Sequence, residues 1–253
     1  MLWRFLDTGE RDGVFNMAFD EQLATDLLEG SGGPTLRLFG WNPWAVSIGF
    51  NQSADEIDFE RCSREGIDVV RRPTGGRAIF HARELTYSVV MEGGGKSVMS
   101  VFHDIGRALV RGLRLFGVDA QLAKQGYWSM GKGMSPSVEQ NASRPRSYWN
   151  HVPCFANASR YEITVGRKKL VGSAQRRYGE RSGREVVLQH CSILVGPDHR
   201  RLVDYIAGGL VLAELFEGTT ELETAVGGNV DGAWLRRCIR QGFEKEWGIK
   251  FVE

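Results

Sequence analysis

The sequence has no run approaching the ~18 consecutive apolar residues that a membrane-spanning helix needs, and its start, Met1-Leu2-Trp3-Arg4-Phe5-Leu6-Asp7, lacks a long apolar stretch. No membrane partner is expected, and the expected compartment is the cytoplasm. Cysteine is sparse: Cys62, Cys154, Cys191 and Cys238 show no C-x-x-C spacing, so neither a disulfide framework nor a zinc ribbon is implied. Charge of one sign is also lacking. Thirty-two Lys+Arg against 31 Asp+Glu leave a net charge of +1, which argues against a nucleic-acid binder relying on basic excess. No internal repeat is visible. What remains is ordinary globular composition, 253 residues with 42% hydrophobic and 25% charged, long enough to bury a core without covalent staples.

Periodicity predicts the elements. Asn16 to Leu28 reads as a helix capped by Asn16, with Leu23/Leu27 and Ala24/Leu28 at i,i+4. Thr35–Phe39, Ala45–Ile48, Ile67–Arg71, Arg77–Phe80 and Leu85–Met91 read as strands. Val98–Phe116 is the clearest amphipathic helix, with Gly117 as its stop. Residues 125–150 then form a long Gly/Ser/Pro/Asn-rich loop carrying Tyr127, Trp128, Tyr148 and Trp149, a composition that favours a lid or pocket wall. Tyr161–Val165 and Leu170–Ala174 predict a hairpin across Gly166-Arg167-Lys168, and Val186–Gln189 and Ser192–Val195 add strands. Pro197 opens a helix to about Leu215, and Ala233–Trp247 is a closing amphipathic helix. The expected fold class is α+β: mixed, largely antiparallel sheets flanked by helices, in a single domain over residues 1–253.

Three segments carry candidate chemistry. In Arg71-Arg72-Pro73-Thr74-Gly75-Gly76-Arg77-Ala78-Ile79-Phe80-His81, paired glycines allow positive φ and a close backbone approach to a ligand. The three arginines offer fixed charge for a phosphate or carboxylate; a tight hairpin with solvated arginines fits the spacing equally well. In Lys169-Leu170-Val171-Gly172-Ser173-Ala174, the lysine could neutralise an anionic oxygen or polarise a carbonyl, or belong to a basic surface hairpin. Cys154, in His151-Val152-Pro153-Cys154-Phe155, could be a thiolate nucleophile at a loop–strand junction, or a core thiol. A metal set of His151, Cys154, His190 and Cys191 is disfavoured, because adjacent strand residues point to opposite faces; no metal is expected.

Taken together, the motifs resemble the biotin/lipoate protein ligase superfamily. Arg71-Arg72-Pro73-Thr74-Gly75-Gly76-Arg77, His81 and Glu84-Leu85-Thr86-Tyr87-Ser88 carry the likeness, with Lys169, Gly172-Ser173-Ala174-Gln175 and Leu188-Gln189-His190. Trp3 to Gly9 and Asn16 to Glu21 extend it to the N-terminus. Cys154-Phe155, Ser159 and Tyr161-Glu162 resemble the cysteine-dependent octanoyltransferases of lipoate assembly, as does Arg77 where ATP-dependent ligases tend to have a third glycine. Two positions depart from the pattern: Ala82 stands where Asp is frequent and Cys191 where Gly is usual. The chain ends too soon after Trp247 for the accessory C-terminal domain of many lipoate ligases.

The resemblance implies a two-step octanoyl transfer, with Cys154 as acyl-carrying nucleophile and Lys169 activating the thiol or stabilising the oxyanion. Thr74, Gly75, Gly76, Arg77 and His81 would line the acyl tunnel and orient the carbonyl, while Gly172, Ser173 and Ala174 would bind substrate, the N–H groups around Ser173–Ala174 acting with Lys169. Arg71 and Arg72 would bind substrate, brace the turn or meet an acidic carrier protein. The implied partners are octanoyl-acyl carrier protein and lipoyl-domain acceptors such as the glycine cleavage H protein, with no cofactor. ATP and magnesium enter only if the chain is instead an ATP-dependent lipoate ligase. A non-catalytic acyl-group or lipoyl-domain binder is the third reading.

Overall fold

The computed structural model describes residues 2–123, 162–179, 183–207 and 217–252. In chain order the elements are β1 (Trp3–Arg11), α1 (Gly13–Glu29), β2 (Thr35–Trp41), β3 (Ala45–Ile48), α2 (Phe59–Arg64), β4 (Asp68–Arg71), β5 (Ile79–His81) and β6 (Glu84–Glu92). There follow α3 (Val98–Phe116), β7 (Gln121–Leu122), β8 (Ile163–Val165), β9 (Lys168–Tyr178), β10 (Val186–Leu194), α4 (Leu222–Val226), α5 (Gly232–Trp247) and β11 (Phe251–Val252). Among the described residues, eight strands form one sheet in the order β11-β1-β2-β6-β10-β9-β8-β7, and three form a second, β4-β3-β5. The large sheet is antiparallel from β2 to β7, with β1 parallel to both β2 and β11. The fold is thus α+β with mixed sheets flanked by helices.

Strand alternation divides the large sheet into two faces. Leu36 and Leu38 of β2, Leu85, Tyr87 and Val89 of β6, and Val187, Cys191 and Ile193 of β10 point to one side, where α3 and α5 pack on them to make the main core. The opposite residues, Val90, Val186 and Leu188, meet Leu23, Ala24 and Leu27 of α1. The small sheet has its own core, in which Val46, Ile48 and Phe80 gather with Tyr205. None of the described helices is long and apolar enough to cross a membrane.

Several boundaries differ from the sequence expectation, each for a local reason. Helix α1 starts three residues before Asn16, because the Asp12 carboxylate accepts from the Phe15 N–H and caps it. Asn16 is instead a buried side chain within the helix. The β8–β9 hairpin turns on two residues, Gly166 and Arg167 at φ 53° and 69°, the pair of positive angles a type I′ turn requires; Lys168 is already in the strand. Strand β10 runs unbroken through His190 and Cys191, since its ladder to β6 is continuous. The α-helix expected from Pro197 is a 3-10 segment, Pro197–Tyr205, and extended backbone at Ile206, bridged to Ile57, ends it. The remainder of that expected helix, the 125–150 loop, Tyr161 and Cys154 lie outside the described residues.

Candidate active site

A narrow pocket opens where α1 and the edge of the small sheet meet the α1-facing side of the large sheet. Its apolar lining is Met17, Phe39, Trp41 and Ile79; Ser47, Arg72, His81, Thr86 and His190 supply polar edges. Gly172, Ser173 and Ala174 pass along one wall. The structure therefore brings together three sequence segments: the residues flanking the glycine turn (Arg72, Ile79 and His81), strand β9 and strand β10; Thr74, Gly75, Gly76 and Arg77 are not among the lining residues.

The turn itself is braced by arginine. Arg72 is buried and donates to the carbonyls of Ser47, Gly75 and Arg77 and to the Ser47 hydroxyl. Arg71 donates from one nitrogen to the carbonyls of Gly49, Phe50 and Gln52, and Arg77 sits 3.2 Å from Glu56. Of the two glycines, Gly76 is the one with positive φ, at 95°. Its carbonyl oxygen packs so closely on Gly49 that a Cβ there would lie 1.9 Å from it. Gly49 thus belongs to the turn as fully as Gly76, and only its place after Ala45–Ile48 hints at that in the sequence.

His81 stacks on Trp41, with ring centroids 4.0 Å apart and planes 12° apart. Its Nδ1 is 2.9 Å from Glu84 Oε1, and its Nε2 is 2.7 Å from Ser47 Oγ. Glu84 also accepts from the Thr86 and Ser192 hydroxyls. Burial alone would raise the Glu84 pKa, but the attraction and hydrogen bonds of His81, Thr86 and Ser192 bring it below its ordinary 4.5.

A second buried network lies behind Thr74. The Thr74 hydroxyl is 3.3 Å from His190 Nδ1, and His190 Nε2 is 2.9 Å from Asp20 Oδ2, an electrostatic contact rather than an aligned hydrogen bond. Asp20 Oδ1 accepts from Ser88 and from Arg37, which is itself fully enclosed. Arg37 further donates to Asn16 and Thr8 and lies 4.0 Å over the Phe39 ring. Burial tends to raise the Asp20 pKa, yet His190 and Arg37 hold it below its ordinary 3.8. Sequence reading gave no role to Asp20, Arg37 or Ser47. The available signal was Arg37 itself, a charge between Leu36 and Leu38 in a strand apolar on both faces.

Lys169 is buried, not part of a surface cluster, and its Nζ lies 2.5 Å from Glu162. A register slip between Ile163 and Thr164 places it. Leu170 and Val171 both enter the main core, so by alternation Lys169 falls on the face that carries Gly172 and Ala174. The Cys191 thiol points the other way, into the main core, where it donates to Ser173 at 3.0 Å; burial pushes it up to about 11. Cys154 cannot be placed against these groups, since it lies outside the described residues.

An α+β domain whose apolar pocket is edged by Arg72, two buried histidines and the strand that bears Lys169 fits a catalytic domain that binds an acyl group. The chain belongs to the lipoyl protein ligase A/B catalytic domain family, whose model matches residues 12–242. The octanoyltransferase LipM of Kyrpidia tusciae is 44% identical, the match covering 98% of this chain and 88% of that protein. The LipM of Symbiobacterium thermophilum is 40% identical over 98% and 87% of the two chains. Among solved structures, the bi-partite lipoate protein ligase of Thermoplasma acidophilum superposes with a TM-score of 0.75 at 22% identity, covering 100% of this chain and 86% of that one. That likeness shows the fold alone.

Proposed function

We propose that the chain is an octanoyltransferase that moves an octanoyl group from acyl carrier protein to the ε-amine of a lysine on a lipoyl domain, through a thioester on Cys154. The observation that carries this reading is the apolar pocket between Met17, Phe39, Trp41 and Ile79, which suits a linear alkyl chain, in a protein 40–44% identical to named octanoyltransferases. The 22% likeness to a ligase adds no activity to it.

In the first step the Cys154 thiolate attacks the thioester carbonyl of octanoyl-acyl carrier protein. The new C–S bond forms, the bond to the carrier sulfur breaks, and the carrier leaves as a thiol after taking up a proton. In the second step the lysine amine of the acceptor attacks the acyl-enzyme. The amide forms, the amine proton is released, and Cys154 departs as thiolate. Thioester to amide is downhill, so neither step needs ATP. Lys169, whose Nζ lies 2.5 Å from Glu162, is the group for the carbonyl oxygen as it becomes negative or for the thiolate. Arg72 and His81, on either side of the glycine turn, line the pocket in which the carbonyl would lie. Acceptors of the glycine cleavage H protein kind and a cytoplasmic location fit this chemistry.

The test is an intact-mass spectrum after incubation with octanoyl-acyl carrier protein and no ATP. One octanoyl group is expected on the wild type and none on Cys154→Ala. Full transfer activity in Cys154→Ala, or lipoate-dependent pyrophosphate exchange without acyl-enzyme, assigns the chain to the ligases.

A further inference from the structure

Arg71 and Arg176 differ from the arginines around them. Arg77 meets Glu56, Arg177 meets Glu185, and Arg72 is buried inside the turn. Arg71 and Arg176 have no carboxylate in ion-pair contact among the described residues. Each is held instead by backbone carbonyls through Nη1 alone: Arg71 by Gly49, Phe50 and Gln52, and Arg176 by Pro73 at 3.1 Å. Among the described residues, that leaves the Nε and Nη2 hydrogens of both guanidiniums without an acceptor. The two reach the same residue, Arg71 the carbonyl of Phe50 and Arg176 its ring at 4.2 Å, and Phe50 is 47% exposed. Both lie close in the chain to residues that line the pocket. Arg176 lies two residues beyond Ala174 on the same face of β9, and Arg71 precedes Arg72; Ala174 and Arg72 line the pocket.

We infer that Arg71 and Arg176, which both contact Phe50, form a binding site for the phosphodiester of a phosphopantetheine arm. Two immobilised, uncompensated guanidiniums match a phosphate that accepts from both, and backbone anchoring removes the side-chain entropy that binding would otherwise have to overcome. The site rests on the octanoyl-transfer reading. It places the acyl end of the arm in the pocket and the phosphate outside it, so the pair measures the arm rather than the fatty chain.

Binding is tested without turnover, using the S-octyl thioethers of phosphopantetheine and of pantetheine, which cannot acylate the enzyme. The wild-type chain is expected to bind the phosphorylated probe about tenfold more tightly at low salt, the size of a charge-assisted contact. Arg176→Gln, checked for native circular dichroism, is expected to bring the ratio to near one, and Arg176→Lys to keep part of it. Equal affinity of the two probes for the wild type, or an unchanged ratio in Arg176→Gln, overturns the phosphate site while leaving the octanoyl reading standing. Absence of binding by either probe overturns both, because the alkyl pocket has then failed as well.

Discussion

The Ser47 hydroxyl and the His81 imidazole meet at 2.7 Å within the small sheet, and His81 ties that sheet to the large one through Glu84. Arg72 donates to Ser47 from the turn, while Glu84 of β6 receives His81 Nδ1. A carboxylate only accepts, so Nδ1 carries the hydrogen and Nε2 is the atom facing Ser47. The pocket lies along this junction, which makes its shape depend on a chain of four buried polar side chains.

Stability should therefore fall on the acid side. Glu84 and Asp20 both have folded-state pKa values below their ordinary 4.5 and 3.8. Their contribution is complete above those values and is lost as pH drops below them, because the unfolded chain then binds protons that the native state resists. Urea midpoints measured across acid pH should decline from about pH 4.5 downward in the wild type. Glu84→Gln should be less stable at neutral pH by about 1–3 kcal/mol and show a flatter acid limb. An acid limb as steep as that of the wild type would remove Glu84 from this account.

Arg37 supports the other network. It is fully buried against Asp20, with Asn16 and Thr8 as further acceptors. Arg37→Met leaves Asp20 with less compensation and should destabilise by roughly 3–5 kcal/mol. Adding Asp20→Asn should recover part of that loss, because the remaining buried charge is removed with it. Strict additivity of the two changes in denaturant unfolding would mean that the pair is not coupled.

Cysteine reactivity offers an independent check on the nucleophile. Burial raises the thiols of Cys62 and Cys191 to about 11, and raises that of Cys238 as well. These three side chains are buried in the fold. Near pH ~7, iodoacetamide should therefore modify them only after unfolding. If Cys154 is the acyl carrier, peptide mapping of the native protein should find the label on Cys154 first, and octanoyl-acyl carrier protein should protect it. Early labelling of Cys191 instead would contradict its enclosure in the main core.

The sequence made the large periodic elements and the residue clusters visible, and the reasons are physical. The Val98–Phe116 helix announces itself by a stripe of apolar residues, and α3 covers those limits with Gly117 as its left-handed cap. The segments of β9 and of the glycine turn were legible because glycine, lysine and arginine are unusual where they occur. The buried partners were not, since Asp20, Glu84 and Ser47 acquire their roles through pairings between strands and helices that are distant in sequence. The face occupied by Lys169 was hidden too, because it depends on a register slip opposite Ile163 and Thr164 that leaves no compositional mark.

The glycine turn gives the sharpest contrast between residues of one type. Gly75 has open space where a Cβ would stand, and its φ is not in the left-handed region. Gly76 is at φ 95°, and Gly49 has the Gly76 oxygen 1.9 Å from the site of a Cβ. An added methyl at Gly49 must push the turn away from Ile48 and disturb the Arg72 bonds that hold it. Gly75→Ala should consequently keep near-wild-type stability and the native fold. Gly49→Ala should lose at least about 1–3 kcal/mol through overpacking and most of its acyl transfer, even where circular dichroism stays native. Thermal unfolding of the two variants side by side, with the acyl-enzyme assay, separates these outcomes. If Gly75→Ala proved the more damaging, the turn would have to read its ligand through the face of Gly75, and its role would shift from bracing to direct contact.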